Sequence, residues 1–185
     1  MRPVRIEDAV DAIRACSAPP RMRTRIVAID GPGGSGKSSL AATLARALDA
    51  SIVHTDDFAS WNNPVNWWPE LVERVLEPLT SGRPARFTPT SWAGAEREEV
   101  VIGPGELVLL EGVSSSRAAF RPYLAFTIWV ATPRGTRLRR GLDRDGDDAL
   151  LDWERWMTEE EAYVEREQPA AHADLILPGD ADLWS

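Results

Sequence analysis

The stretch "GPGGSGKS", Gly31 to Ser38, constrains this chain more than any other feature. It follows the β-branched run "TRIVAID" (24 to 30) and opens "KSSLAATLARALD", where Leu40, Leu44 and Leu48 share one helical face. This is G-x-x-x-x-G-K-[ST] between an expected strand and an expected helix, the context in which the spacing is specific. Glycines let the backbone curl until successive N–H groups face inward and can cradle phosphate oxygens. The positive end of the following helix reinforces that field. Gly31, Gly33, Gly34, Ser35, Gly36, Lys37, Ser38 and Ser39 are therefore the expected nucleotide-binding residues. Lys37 can reach the β- and γ-phosphates, and the Ser38 hydroxyl can ligate magnesium.

The rest of the chain alternates in kind. Ile6, Ala9, Val10 and Ile13 predict a helix over 6–16, within an N-terminal helical segment at 1–20. "SIVHT" (51–55), "EVVI" (99–102), "LVLLEGV" (107–113), "AFTIWVA" (125–131) and "ADLILPG" (173–179) predict strands. "WWPELVERVLEPLTSG" predicts a helix with Leu71, Val75 and Leu79 inward, "PRGTRLRRGLDRDGD" a basic helix and loop, and "DALLDWERWMTEEEAYVEREQ" a long acidic helix. "RFTPTSWAGAERE" reads as irregular. Strands alternating with helices imply an α/β fold with a doubly wound parallel sheet. At 185 residues a single domain, 1–185, is expected. The net charge of −8 argues against nucleic acid or an anionic membrane as the main partner. Cys16 is the single cysteine, so no internal disulfide can form, which fits a reducing cytoplasm. No run has the pattern of a signal peptide or the length of a membrane span.

Phosphate loops serve switches, motors and small-molecule kinases. The guanine-reading N-K-x-D of a GTPase is absent, and "LVLLEG" ends in one glutamate, Glu111, rather than the paired acids common in motors. A kinase needs a carboxylate to orient an acceptor hydroxyl and take its proton. "VHTDDF" supplies Asp56 and Asp57 at the end of the second strand, where parallel sheets open onto their ligands. Arg134, Arg137, Arg139, Arg140 and Arg144 cluster after the fourth strand, and Arg137, Arg140 and Arg144 share a helical face. They could close over a nucleotide, or pair with the acidic helix that follows.

In order and spacing, "IDGPGGSGKSSLA", "DDF", "LLEGV", "RLRRGLDRD" and "ADLILPG" resemble the uridine kinase family of P-loop small-molecule kinases, over about Ile26 to Gly179. The resemblance implies a three-layer P-loop NTPase fold, with a five-stranded parallel sheet in order 2-3-1-4-5 and an arginine-bearing lid over 133–148. It implies ATP and Mg2+ as cofactors, and a small-molecule alcohol, a nucleoside or similar metabolite, as acceptor. Asp56, from the D-x-F motif, would be the catalytic base, helped by Lys37, Arg144 and Arg140. Glu111 would lie by the magnesium with Ser38 and Asp56. Arg137 would contact the nucleotide, and Gly179 would lie near adenine.

The acceptor half departs from the family. Its tyrosine–aspartate pair is replaced by Ser91 and Trp92 in "PTSWAGAERE", and its basic lid run by "GDDALL". The expected acceptor segment is 59–98, with Asp57, Phe58, Trp92 and Arg97 as candidate contacts. Trp61, Trp67 and Trp68 lie there too, with Arg83 and Arg86. His54 reads as a packing residue on a central strand. Two other readings stand beside the kinase: a nucleotide-binding regulator without phosphotransfer, and a nucleoside monophosphate kinase whose acceptor phosphate is gripped by arginines in 83–97.

Overall fold

A computed structural model describes residues 5–59, 67–90, 97–105 and 107–179. In chain order the elements are α1 (Ile6–Ala15), β1 (Arg25–Asp30), α2 (Lys37–Leu48), β2 (Ser51–His54), α3 (Trp68–Leu71), α4 (Glu77–Thr80), β3 (Ala85–Phe87), β4 (Val100–Ile102), β5 (Leu107–Glu111), β6 (Phe126–Ala131), α5 (Arg134–Asp145), α6 (Leu150–Glu167) and β7 (Leu175–Pro178). Five strands form one parallel sheet in the order β2-β5-β1-β6-β7. Counted among that sheet's own strands this is 2-3-1-4-5. The β3-β4 hairpin, of which the sequence predicts the β4 strand but not β3, shifts the numbering along the chain.

Strand side chains alternate between faces, and the two cores follow that alternation. Ile26, Val53, Val108 and Leu110 pack on one face with Leu71, Leu76, Leu79 and Phe120. Val27, Ile29, Leu109, Ile128 and Val130 pack on the other with α1 and α2 through Ile13, Leu40 and Leu44. All five residues of β5 are buried, as the continuous apolar run requires of a strand covered on both sides. The same parity carries to the strand ends. Glu111 shares the α2 face with Leu109, while Asp30 shares the opposite face with Ile26.

Three details differ from the sequence reading. Strand β2 stops at His54, and Thr55–Asp57 forms a 3-10 turn, so the two aspartates are not on an extended strand. It is also an edge strand of the sheet, not a central one. The expected helix over the Trp-Trp-Pro segment forms, but Val72–Leu76 between α3 and α4 is a π turn. Pro78 follows directly. It lacks the N–H of an i→i−4 bond and its ring crowds that carbonyl, which a widened turn accommodates.

Helices α5 and α6 meet at Gly141. A β-carbon there would collide with the Trp153 indole. Gly141→Ala is therefore expected to push α6 off α5 and cost about 1–3 kcal/mol, read as a lower urea midpoint with an unchanged m-value.

Candidate functional site

The loop from Gly31 to Ser38 leaves β1 and enters α2 at Lys37. Gly34 and Gly36 adopt φ of 73° and 98°, which a side chain would strain. Its outer side is braced. Thr132 Oγ1 donates to the Ser35 carbonyl at 2.8 Å, and Arg140 donates to the carbonyls of Gly179 and Gly34 at 2.8 and 3.3 Å. Arg140 and Gly179 are thus brought to the loop, at its backbone. Lys37 is buried, and among the described residues its ammonium makes only a 3.4 Å bond to the Pro32 carbonyl. The Ser35 hydroxyl is buried and has no partner among the described residues. A curled loop with a buried, poorly satisfied ammonium suits an anionic ligand.

Sheet parity brings Glu111 to Ser38. The Ser38 hydroxyl donates to Glu111 Oε1 at 3.0 Å, and His54 Nδ1 lies 2.6 Å from Oε2. Burial pushes the Glu111 carboxyl up, but His54, Lys37 and Ser38 together hold it below its ordinary value. The hydrogen bond to Glu111 raises His54. His54 is therefore part of the site, not a packing residue.

Asp30, on the other face, is fully buried. It accepts from the Gly31 N–H (2.7 Å), the Ser114 N–H (3.0 Å), the Ser116 N–H (3.0 Å), the Ser116 hydroxyl (2.6 Å) and the Tyr163 hydroxyl (2.6 Å). Burial, then the Asp30 charge, pushes the Tyr163 phenol far above its usual range, so it stays a donor. The sequence reading missed both residues. The signal for Asp30 was its place at the last position of the strand, where an apolar residue would continue the core.

The third missed residue is Glu160. Its Oε1 accepts from the Gly33 N–H at 2.6 Å and its Oε2 from Arg137 at 3.1 Å, with both side chains buried. Burial raises the Glu160 carboxyl above its ordinary value despite Gly33, Lys37 and Arg137. A protein carboxylate thus holds one of the loop's own anion-facing donors. Part of the arginine cluster does pair with the acidic helix: Arg137 with Glu160, and Arg134 with Glu161 at 3.2 Å. Arg144 points elsewhere. It is mostly exposed, bonded to Asp145 at 2.8 Å and stacked 5.5 Å from the Trp153 ring. In this conformation Arg137 and Arg140 lie at the loop and Arg144 does not.

Beyond Glu160 a cavity of about 160 Å³ opens, lined among others by Asp56, Trp67, Ser114, Arg117, Trp156 and Tyr163. Asp56 is exposed and makes no hydrogen bond or ion pair among the described residues. Asp57 is turned away, half-buried, with Arg97 at 3.5 Å. Burial raises its carboxyl, more than His54 and Arg97 lower it. Phe58 is not a ligand contact: it is buried in the core, 4.9 Å from the Phe87 ring. Arg97 does not line the cavity, and Trp92, Ser91 and Trp61 lie outside the described residues. Among the described residues no group of three or more His, Cys, Asp or Glu side chains could hold a metal by themselves.

No family model matches the chain, and no curated protein matches it. Solved structures do. A candidate uridine kinase from Bacillus stearothermophilus superposes with a TM-score of 0.69 at 18% identity, over 93% of this chain and 96% of that one. A candidate fructose transport system kinase from Silicibacter sp. TM1040 gives 0.73 at 18% identity, over 95% and 100%. A sugar kinase from Janibacter sp. HTCC2649 gives 0.53 at 16% identity, over 87% and 90%. The chain has the P-loop kinase fold. That assigns the glycine loop, the end of β5 and the helices α5 and α6 their places in a known architecture.

Replacing Glu160 by Gln keeps an acceptor for Gly33 but removes a negative charge from the mouth of the loop. Affinity for a non-hydrolysable nucleoside triphosphate is expected to rise about tenfold, near 1.4 kcal/mol. Calorimetric titration of both proteins checks this; weaker binding by Glu160→Gln would show that the carboxylate organises the loop instead of competing for it.

Proposed function

We propose that the protein is an ATP-dependent phosphotransferase acting on the hydroxyl of a small molecule. The observation that carries this reading is Asp56. It is an exposed carboxylate that makes no hydrogen bond or ion pair among the described residues, in a cavity also lined by Glu160 of α6, which bonds to the phosphate loop. A general base must be free to accept a proton, and Asp56 is the free member of the pair. Asp57 is the paired one.

ATP and magnesium fit the residues present. The loop amides and Lys37 would hold the phosphates. Ser38, with Glu111 beside it at 3.0 Å, would hold magnesium, the remaining ligands being phosphate oxygens and water. Mg-ATP supplies the transferable phosphoryl group and a cation that offsets its charge. Asp56 takes the acceptor's proton as its oxygen bonds to the γ-phosphorus, and the bridging oxygen leaves with ADP. Glu111 is kept ionised by His54, Lys37 and Ser38, the state in which it can fix magnesium's waters. Segment 133–148 acts as the lid, and 59–98 as the acceptor-binding segment. Arg144 would reach the phosphates only after leaving Asp145 and Trp153. The cytoplasm is the compartment that fits a single-cysteine chain. No helix among the described residues is long and apolar enough to cross a membrane.

The arginines at 83–97 give the monophosphate-kinase reading little support. Arg86 is spent on Glu99 at 3.1 Å and Arg97 on Asp57.

The test is ADP release on adding candidate acceptors, with a binding control. Asp56→Asn should lower acceptor-dependent turnover by about 10²–10⁴-fold and leave nucleotide affinity unchanged. Asp57→Asn should cost less than about tenfold. Equal losses in the two variants would mean that the wrong carboxylate has been assigned.

A further inference from the structure

Arg117 is the unexplained group in the cavity. It follows the turn after β5, in "EGVSSSR". Its guanidinium sits in an aromatic cage, 5.1 Å from the Trp68 ring, 5.9 Å from Trp67 and 5.8 Å from Phe120. Rings that stack on a guanidinium cover its faces and leave its edge donors open. A guanidinium has five N–H donors. Among the described residues those of Arg117 make no hydrogen bond and no ion pair.

Apart from Asp56, the nearby acids are committed elsewhere, Glu159 of the cavity lining to Arg155 at 3.8 Å. Glu167 accepts from the Ala118 N–H at 2.8 Å and pairs with Arg121 at 3.7 Å and Arg166 at 3.6 Å. Asp30 is saturated by Gly31, Ser114, Ser116 and Tyr163. Glu160 holds Gly33 and Arg137. Burial accordingly lowers the Arg117 pKa more than Glu167, Tyr163 and Asp30 raise it. A half-buried cation normally finds a partner in the fold or takes one from a ligand. Arg117 and Asp56 line one cavity. One ligand there can present a hydroxyl to the base and another group to the arginine.

We infer that the acceptor is a small hydroxylated anion, carrying a phosphate monoester or a carboxylate that Arg117 grips through its free edge. The inference rests on the kinase reading for the role of Asp56, but not for the site of the anion. It separates this cavity from one built for a neutral nucleoside or sugar, which would leave the guanidinium donors unused. Trp67, Trp68 and Phe120 pack around the guanidinium, which limits its freedom before the ligand arrives.

The test uses acceptors in matched pairs with the wild-type protein, Arg117→Gln and Arg117→Lys. The pairs are ribose and ribose 5-phosphate, and glycerol and glycerate. In the productive pair the anion is expected to give a kcat/KM at least about 100-fold above its neutral partner, and the pair identifies phosphate or carboxylate. Arg117→Gln should erase that advantage through KM, and Arg117→Lys should recover part of it, with thermal melts matched to the wild type. A neutral partner that is the better substrate, or an advantage that survives in Arg117→Gln, overturns the inference and leaves the kinase reading standing. If no acceptor of either kind turns over, the kinase reading fails and the anion site is judged by binding. Tryptophan fluorescence is then titrated with ribose 5-phosphate and glycerate, with the phosphate loop saturated by a non-hydrolysable ATP analogue. Saturable quenching by either, lost in Arg117→Gln, supports the site; no quenching, or quenching equal in both proteins, overturns it.

Discussion

The buried carboxylate of Asp30 is the interaction on which the site's architecture depends. A fully buried charge without a counter-ion is costly unless its oxygens are saturated with hydrogen bonds. Here five donors do so, and they come from separate parts of the chain: the first residue of the phosphate loop, the turn after β5, and α6. Satisfying one carboxylate therefore fixes three elements relative to β1. The turn after β5 then delivers Arg117 to the cavity, and α6 delivers Glu160 to the loop and Tyr163 to the cavity wall.

The opposite face of the sheet is organised by different means. Glu111 is held between Ser38 and His54, and its charge is sustained by Lys37 as well. The two faces thus divide the work. One carries the groups suited to phosphate and metal, and the other carries Asp56 and the cavity proposed to receive the acceptor. The loop itself lies at the C-terminal end of β1, between them, where a doubly wound sheet places its ligands. Glu160 holds the Gly33 N–H there. Its raised pKa records the cost of burying the carboxyl there, which Gly33, Lys37 and Arg137 offset only in part.

Much of this was legible in the sequence, for definite reasons. "GPGGSGKS" constrains the backbone tightly enough that strand, loop and helix follow from it, and continuous apolar runs located the sheet. Residues whose meaning depends on distant partners were not legible. Asp30, Glu160 and Tyr163 are joined across more than a hundred positions, and no local spacing announces that. Arg117 stands in a turn with no motif around it. The aspartate pair was assigned on the assumption of an extended strand. Both lie in a 3-10 turn instead, and Asp57 is distinguished by Arg97. Phe58 looked like part of a ligand motif but lies in the core, because the turn directs it under the β3-β4 hairpin against Phe87. The arginine cluster was readable as a group, but which members reach the loop was set by α6.

The central claim is that this site moves a phosphoryl group onto a metabolite. The most direct measurement is label transfer from γ-32P-ATP, with magnesium, into the deproteinised small-molecule fraction of a cell extract, resolved by chromatography. The account predicts a discrete labelled metabolite that appears with the wild-type protein and is absent with Asp56→Asn. Label confined to ATP and inorganic phosphate, from a protein that binds ATP normally, would contradict it.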